Sequence, residues 1–156
     1  MRTSNPRSRI FMAGAAALVF LLVAVVLLLP VTSATAVGTY PVTLSVSPKS
    51  ASYGVGGSPG VTVTAKNTGS MTFDVTACIG EVKPASGSTY STFDCPKFSP
   101  FSIPAGQTVK KTYSVYPYHV TSKTPKGTLD LKGYYEGTVG SKTYNSDIVS
   151  FTITIT

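Results

Sequence analysis

The sequence predicts an all-β fold, two antiparallel sheets packed face to face, preceded by one N-terminal hydrophobic helix. Three observations carry this expectation. Apolar and hydroxyl residues alternate with a period of two in at least six segments after residue 40; turns rich in Gly, Pro and Ser separate those segments; and one unbroken apolar run occupies residues 10–29. A strand with one apolar face needs an apolar partner surface, and several such strands bury that face by stacking two sheets. A chain of 156 residues has room for one such domain and an appendage.

The appendage comes first in the chain. Arg2, Arg7 and Arg9 stand without an acid before residue 10, twenty residues without a polar side chain follow, and Pro30 ends the run. Ala34 and Ala36 then supply the small-x-small pair that signal peptidase reads in an extended backbone. Residues 1–36 are therefore expected to be a signal peptide cleaved after Ala36. A run of about 20 apolar residues also suffices to span a bilayer, so a retained signal anchor is the rival fate. Either fate places residues 37–156 outside the cytoplasm, at the cell surface or beyond it. A pilin-like core has less support, because the apolar run contains no Glu and Arg9 precedes it.

Within residues 37–156 each strand acquires an inside and an outside. Val42, Leu44 and Val46 alternate with Thr43, Ser45 and Ser47, and Val61, Val63 and Ala65 alternate with Thr62, Thr64 and Lys66. Met71, Phe73, Val75, Ala77 and Ile79 are expected on one face of the next strand, with Thr72, Asp74, Thr76 and Cys78 on the other. Asn67-Thr68-Gly69-Ser70 between these two segments suits a tight hairpin. Later strands follow Val109/Lys111/Tyr113/Val115, then Leu129/Leu131/Tyr135, then Val149/Phe151/Ile153/Ile155.

Three stretches carry a resemblance to a known family. Val-Thr-Val-Thr-Ala-Lys-Asn-Thr-Gly-Ser at 61–70, Ser-Ile-Pro-Ala-Gly-Gln-Thr-Val at 102–109 and Gly-Thr-Leu-Asp-Leu at 127–131 occur in that order. Together they resemble the immunoglobulin-like repeats of bacterial and archaeal surface proteins, including the CARDB type. The resemblance implies an immunoglobulin-like sandwich in an extracytoplasmic setting and brings no catalytic residues with it.

Cys78 and Cys95 are the only cysteines, and an even pair in an exported chain is expected to form a disulfide. The strand parity puts Cys78 on the polar face, so the bond is expected as a peripheral staple closing the loop 79–94. No Cys-x-x-Cys spacing or partner His points to a metal or redox site.

Composition narrows the chemistry. Removing the three leader arginines leaves ten lysines against six acids and a net charge near +4, with the lysines spread from Lys49 to Lys142. Clustered Arg and Lys, the mark of nucleic-acid binding, is missing from that pattern. Gly137–Thr143 has glycines near a lysine, but Ser141 separates Gly140 from Lys142 and strands flank it, so a hairpin turn is expected and not a phosphate loop. The glycine-rich 53–57 stretch lacks the spacing and the following helix of a nucleotide site, and the six acids form no calcium loop. His119 is the sole imidazole and has no nucleophile elbow to serve. No enzyme, cofactor or metal is expected.

Two features remain as candidate contacts. Tyr113, Tyr116, Tyr118 and His119 lie at a strand end running into a loop, where exposed rings stack on sugars or anchor a protein; the competing account is that they cap the core. The terminal strands 42–47 and 149–156 are candidates for pairing with a neighbouring subunit, against ordinary pairing in their own sheets. Ser and Thr make up 35 of the 120 residues after Ala36 and coat the outward faces. The expected function is that of an exported structural or adhesive cell-surface protein, a filament or surface-layer subunit whose partners are other surface proteins or its own copies. A soluble glycan-binding module using residues 113–119 is the alternative. Membrane contact is expected through residues 10–29 if the leader stays.

Overall fold

The computed structural model describes residues 37–156, and the leader, with Ala34, Ala36 and the apolar run, lies outside them. The described residues are all-β and form two sheets from eleven strands. In chain order these are β1 (Gly38–Thr39), β2 (Val42–Ser47), β3 (Ser50–Tyr53), β4 (Gly60–Asn67), β5 (Phe73–Lys83), β6 (Ser91–Asp94), β7 (Phe101–Ile103), β8 (Thr108–Ser114), β9 (Gly127–Val139), β10 (Lys142–Asn145) and β11 (Val149–Ile155).

The larger sheet, A, runs β3-β11-β9-β5, with β6 and β7 on the far side of β5 and β10 and β1 continuing beside the end of β9. The smaller sheet, B, is β2-β4-β8. Pairing is antiparallel except at two places, where β3 lies parallel to β11 and β1 parallel to β10. The chain passes from sheet B to sheet A between β2 and β3, so the first long stretch of the domain is shared by both layers.

Alternation decides what is buried. Val42 and Val46 of β2, Val61, Val63 and Ala65 of β4, and Tyr113 of β8 face Phe73, Val75, Leu129, Leu131, Tyr135, Phe151, Ile153 and Ile155 of sheet A. These are the parities expected for all those strands but one.

The exception is β5. Ladder pairing with β9 shifts between Val75 and Ala77, leaving Thr76 as the extra residue of a β-bulge. Parity reverses past it. Phe73 and Val75 point inward as expected, but beyond the bulge Cys78, Gly80 and Val82 take the inward positions, and Ala77 and Ile79 are only half-buried. Met71, expected to lead the inward row, lies before the strand and is 53% exposed.

The Asn67–Ser70 turn also departs from expectation. It joins β4 in sheet B to β5 in sheet A, so it is a crossing between layers and not a hairpin. Asn67 is fully buried and holds the crossing together. Its Nδ2 donates to the carbonyls of Met71 and Ile103, each at 2.8 Å, and its Oδ1 accepts from the Gly69 amide. Tyr40 secures the other side, its hydroxyl accepting from the Met71 amide and donating to the Met71 carbonyl. The hairpin expected at Gly137–Thr143 is present: β9 and β10 pair from Val139↔Lys142, and Gly140 at φ +61° supplies the left-handed turn residue.

Candidate functional site

Cys78 and Cys95 form a disulfide with a Cα–Cα distance of 5.4 Å, and the segment it closes contains β6. Simple parity puts this bond on the polar periphery; the bulge at Thr76 instead turns Cys78 inward, where it is 7% exposed. Beside it, between the sheets, lies an apolar cavity of about 30 Å³ that Val63, Cys78, Tyr113, Tyr135 and Phe151 help to line. Pockets for small molecules run to roughly 300–1,000 Å³. The cavity is far smaller than that, a void within the packed core. A disulfide persists in oxidising compartments, which agrees with a location outside the cytoplasm.

The tyrosine segment divides into two environments. Tyr113, on the inward parity of β8, is buried, and its hydroxyl lies 3.1 Å from that of Tyr135. Burial pushes the Tyr113 phenol above its ordinary value, and burial together with the Tyr113 hydroxyl drives Tyr135 far higher. Both rings therefore stay neutral and serve as core. Tyr116 and Tyr118 are 42% and 43% exposed and meet edge to face at 6.3 Å. Tyr118 also meets Phe93 of β6 at 6.4 Å. The far end of the Phe93 ring comes so close to Gly80 that any Cβ there would collide with it, so this glycine is what lets the edge strand β6 lay an aromatic on β5. Partial burial, then the nearby Asp94, raise the Tyr118 phenol.

His119 is exposed, and its Nδ1 lies 3.2 Å from Ser58 Oγ. Among the described residues Ser58 is its one side-chain partner, so hydroxyl and imidazole meet without the orienting carboxylate of a triad. The structure thus brings Tyr116, Tyr118, Phe93, His119 and Ser58 to one end of the sandwich, and takes Tyr113 away into the core. Phe93 and Ser58 carry no sequence signal for this, because only the register of β6 and the return of the 115–126 loop place them there.

A second concavity, of about 460 Å³, is lined in part by Glu81, Tyr134, Asn145 and Asp147. It is rich in acceptors, and the buried Oδ1 of Asn145 has no hydrogen-bond partner. Its residues come from β5, β9, β10 and the loop after β10, too far apart in sequence to form a motif. Among the described residues no three Asp, Glu, His or Cys side chains converge on a metal position.

The edges of the sheets complete the candidate surfaces. The final strand β11 is paired to β9 from Val149 to Ile155 and to β3 from Thr152 to Ile155, so its last four residues are held on both sides. Sheet B, with only three strands, ends in two unpaired edges, β2 and β8. Its strands contain no acid, and their outward residues are Thr43, Ser45, Ser47, Thr62, Thr64, Lys66, Thr108, Lys110, Thr112 and Ser114.

No protein-family model matches the chain, and no curated protein matches it. Solved structures do. A candidate ApaA protein from Bordetella pertussis aligns over 76% of this chain and 97% of its own, at 16% identity and a TM-score of 0.52. The sporulation control protein Spo0M from Bacillus subtilis aligns over 76% and 50%, at 14% identity and TM-score 0.48. The alkylpurine DNA glycosylase AlkC from Pseudomonas fluorescens aligns over 73% and 30%, at 14% identity and TM-score 0.49. The likeness to the Bordetella protein speaks for the fold alone, and none of the three is described as immunoglobulin-like or as CARDB.

Proposed function

We propose that residues 37–156 are an immunoglobulin-like domain of an exported, non-enzymatic structural or adhesive cell-surface protein that docks copies of itself or other surface proteins through a strand edge. The observation that carries this reading is the pair of unpaired edges on a three-stranded sheet whose outward face is hydroxyl and lysine. Exposed edges are templates for strand addition, and natural monomers normally cover or guard them. The immunoglobulin-like assignment is supported by the three motifs and by the strand order, β2-β4-β8 opposite β5-β9-β11, which parallels the A-B-E and C-F-G sheets of that fold. Export is supported by the leader and the disulfide. Of the two terminal strands, β2 is the one without a second ladder partner, so assembly through it replaces assembly through β11.

The test is the solution state and adhesion of the natively secreted protein. Light scattering and electron microscopy are expected to show self-association, or binding to cells, that Ser45→Lys on β2 weakens. A protein that stays monomeric and adheres to nothing overturns the reading. Its N-terminal mass separates a cleaved leader, starting at Val37, from a retained anchor, starting at Met1.

A second reading, a ligand- or glycan-binding module, is favoured by the exposed Tyr116 and Tyr118 rings. Loss of glycan binding in Tyr116→Ala and Tyr118→Ala proteins of unchanged Tm is the outcome expected of it.

A further inference from the structure

The backbone phase of β8 can be read from its ends. The Asn67 amide donates to the Gln107 carbonyl and the Val115 amide to the Pro59 carbonyl, so the odd-numbered residues of β8 turn their amides and carbonyls toward β4. In an antiparallel ladder the intervening residues turn theirs the other way. Thr108, Lys110, Thr112 and Ser114 therefore hold out a row of four amides and four carbonyls along the free edge. Edge β2 is poorer: the Val42 amide and carbonyl are already bonded to Tyr40 and Asp147, leaving Leu44 and Val46.

What sits beneath the β8 edge indicates what it accepts. Phe101 of β7 and the nearby Phe98 are half-buried, with ring centroids 6.3 Å apart. Lys111 is on the inward parity of β8, and its Nζ lies 4.5 Å from the Phe101 centroid. An inward-pointing lysine on an edge strand is a guard against indiscriminate pairing. If two copies met through β8 in antiparallel register with all four edge residues paired, the two Lys111 side chains would face each other, and like charges in directly opposed positions repel. A second β8 is thus disfavoured, and a strand that places a carboxylate opposite Lys111 is favoured.

We infer that the free edge of β8 is a docking site for an extended peptide strand that sets an acidic side chain, flanked by apolar ones, against Lys111 and the half-buried Phe98 and Phe101. This deepens the edge-docking reading and rests on it. It adds the accepting edge and the chemistry of the incoming strand.

The test is titration of the native protein with the capped peptide Thr-Val-Thr-Glu-Thr-Val-Thr and its counterpart with Lys in place of Glu, followed by amide chemical shifts and calorimetry. The Glu peptide is expected to bind about five- to tenfold more tightly than the Lys peptide, the span that reversing one cross-strand charge gives. Shifts are expected at Thr108, Lys110, Thr112 and Ser114. Lys111→Glu is expected to reverse the preference. Thr112→Pro removes an outward amide without touching the β4 ladder and is expected to abolish binding of either peptide. Equal affinity for both peptides, no binding of the Glu peptide at about 1 mM, or undiminished binding by a folded Thr112→Pro protein overturns the inference. Should Thr112→Pro fail to fold, the Lys111→Glu reversal decides. Self-association without peptide selectivity sinks this inference alone, whereas selective peptide binding by a monomer that adheres to nothing sinks the broader reading.

Discussion

Sheet A and sheet B share one core but solve the problem of their edges differently. Sheet A recruits short strands, β3 beside β11 and β6 and β7 beside β5, and pins β6 to β5 with the Cys78–Cys95 bond. Its outward face mixes signs, with Lys83 and Asp130 in a 2.7 Å ion pair and Lys132 Nζ 3.9 Å from the Tyr90 centroid. Sheet B recruits nothing, contains no acid, and leaves Lys110 and Lys111 on one bare edge. The contrast teaches that the two layers differ in what covers their edges. Damage to sheet A and to the crossings is expected to appear in Tm, and changes at the edges of sheet B in binding.

The largest effect expected is that of Phe73→Ala. Phe73 is fully buried at the start of β5 and stacks on Tyr40 at 5.7 Å. Truncation is expected to cost about 3–5 kcal/mol in urea unfolding. Replacing both cysteines by Ala is expected to cost about 3 kcal/mol by the loop-entropy argument for a segment of this length. A loss much below that would mean that β6 is held by its ladder and not by the bond. Asn67→Ala takes the side-chain partner from the Ile103 carbonyl and the Gly69 amide at the layer crossing, while Met71 keeps its bond to Tyr40, and about 2 kcal/mol is expected in the same assay. A smaller value would show that water replaces the amide.

A pH titration sharpens the same comparison. Tyr113 and Tyr135 have folded pKa values raised above the unfolded one. Their contribution is therefore fully present below about pH 10, the unfolded phenol value, and is lost as pH rises from there toward the folded values. Tm is expected to fall above that point, and less steeply in Tyr135→Phe. The subtlest effect is in hydrogen exchange. Amides of Thr108, Lys110, Thr112 and Ser114 are expected to exchange far faster than their odd-numbered neighbours, which bond to β4, and faster than the amides of β9. Uniform protection along β8 would mean that something covers its edge.

Much of this architecture is legible in the order of apolar and hydroxyl residues. The parities of β2, β4, β8, β9 and β11 follow from simple alternation, and so does the burial of Tyr113, which shares its row with Val109 and Val115. Grouping Tyr113 with Tyr116 and Tyr118 as a contact residue runs against that parity, and the core is where the ring lies. The bulge at Thr76 is not legible, since one extra residue in a strand leaves no mark on an alternating pattern that stays plausible on either face. The Asn67 crossing reads as a hairpin because Asn and Gly favour turning whatever layer the chain turns into. Short strands such as β3 and β6 carry too few apolar residues to show a period. The candidate surfaces are the least legible, because an edge is a property of strand order and an exposed ring depends on which loop returns beside it.

The parallel pairing of β3 with β11 has a mechanical consequence. The strands lie side by side and run the same way, Ser50 opposite Thr152 through Tyr53 opposite Ile155. Tension applied between the two ends of the domain pulls β3 backward and β11 forward along their common axis. Every bond of that ladder is then loaded at once, in shear, and none can be unzipped before the others. A domain clamped in this way resists stretching along its own chain.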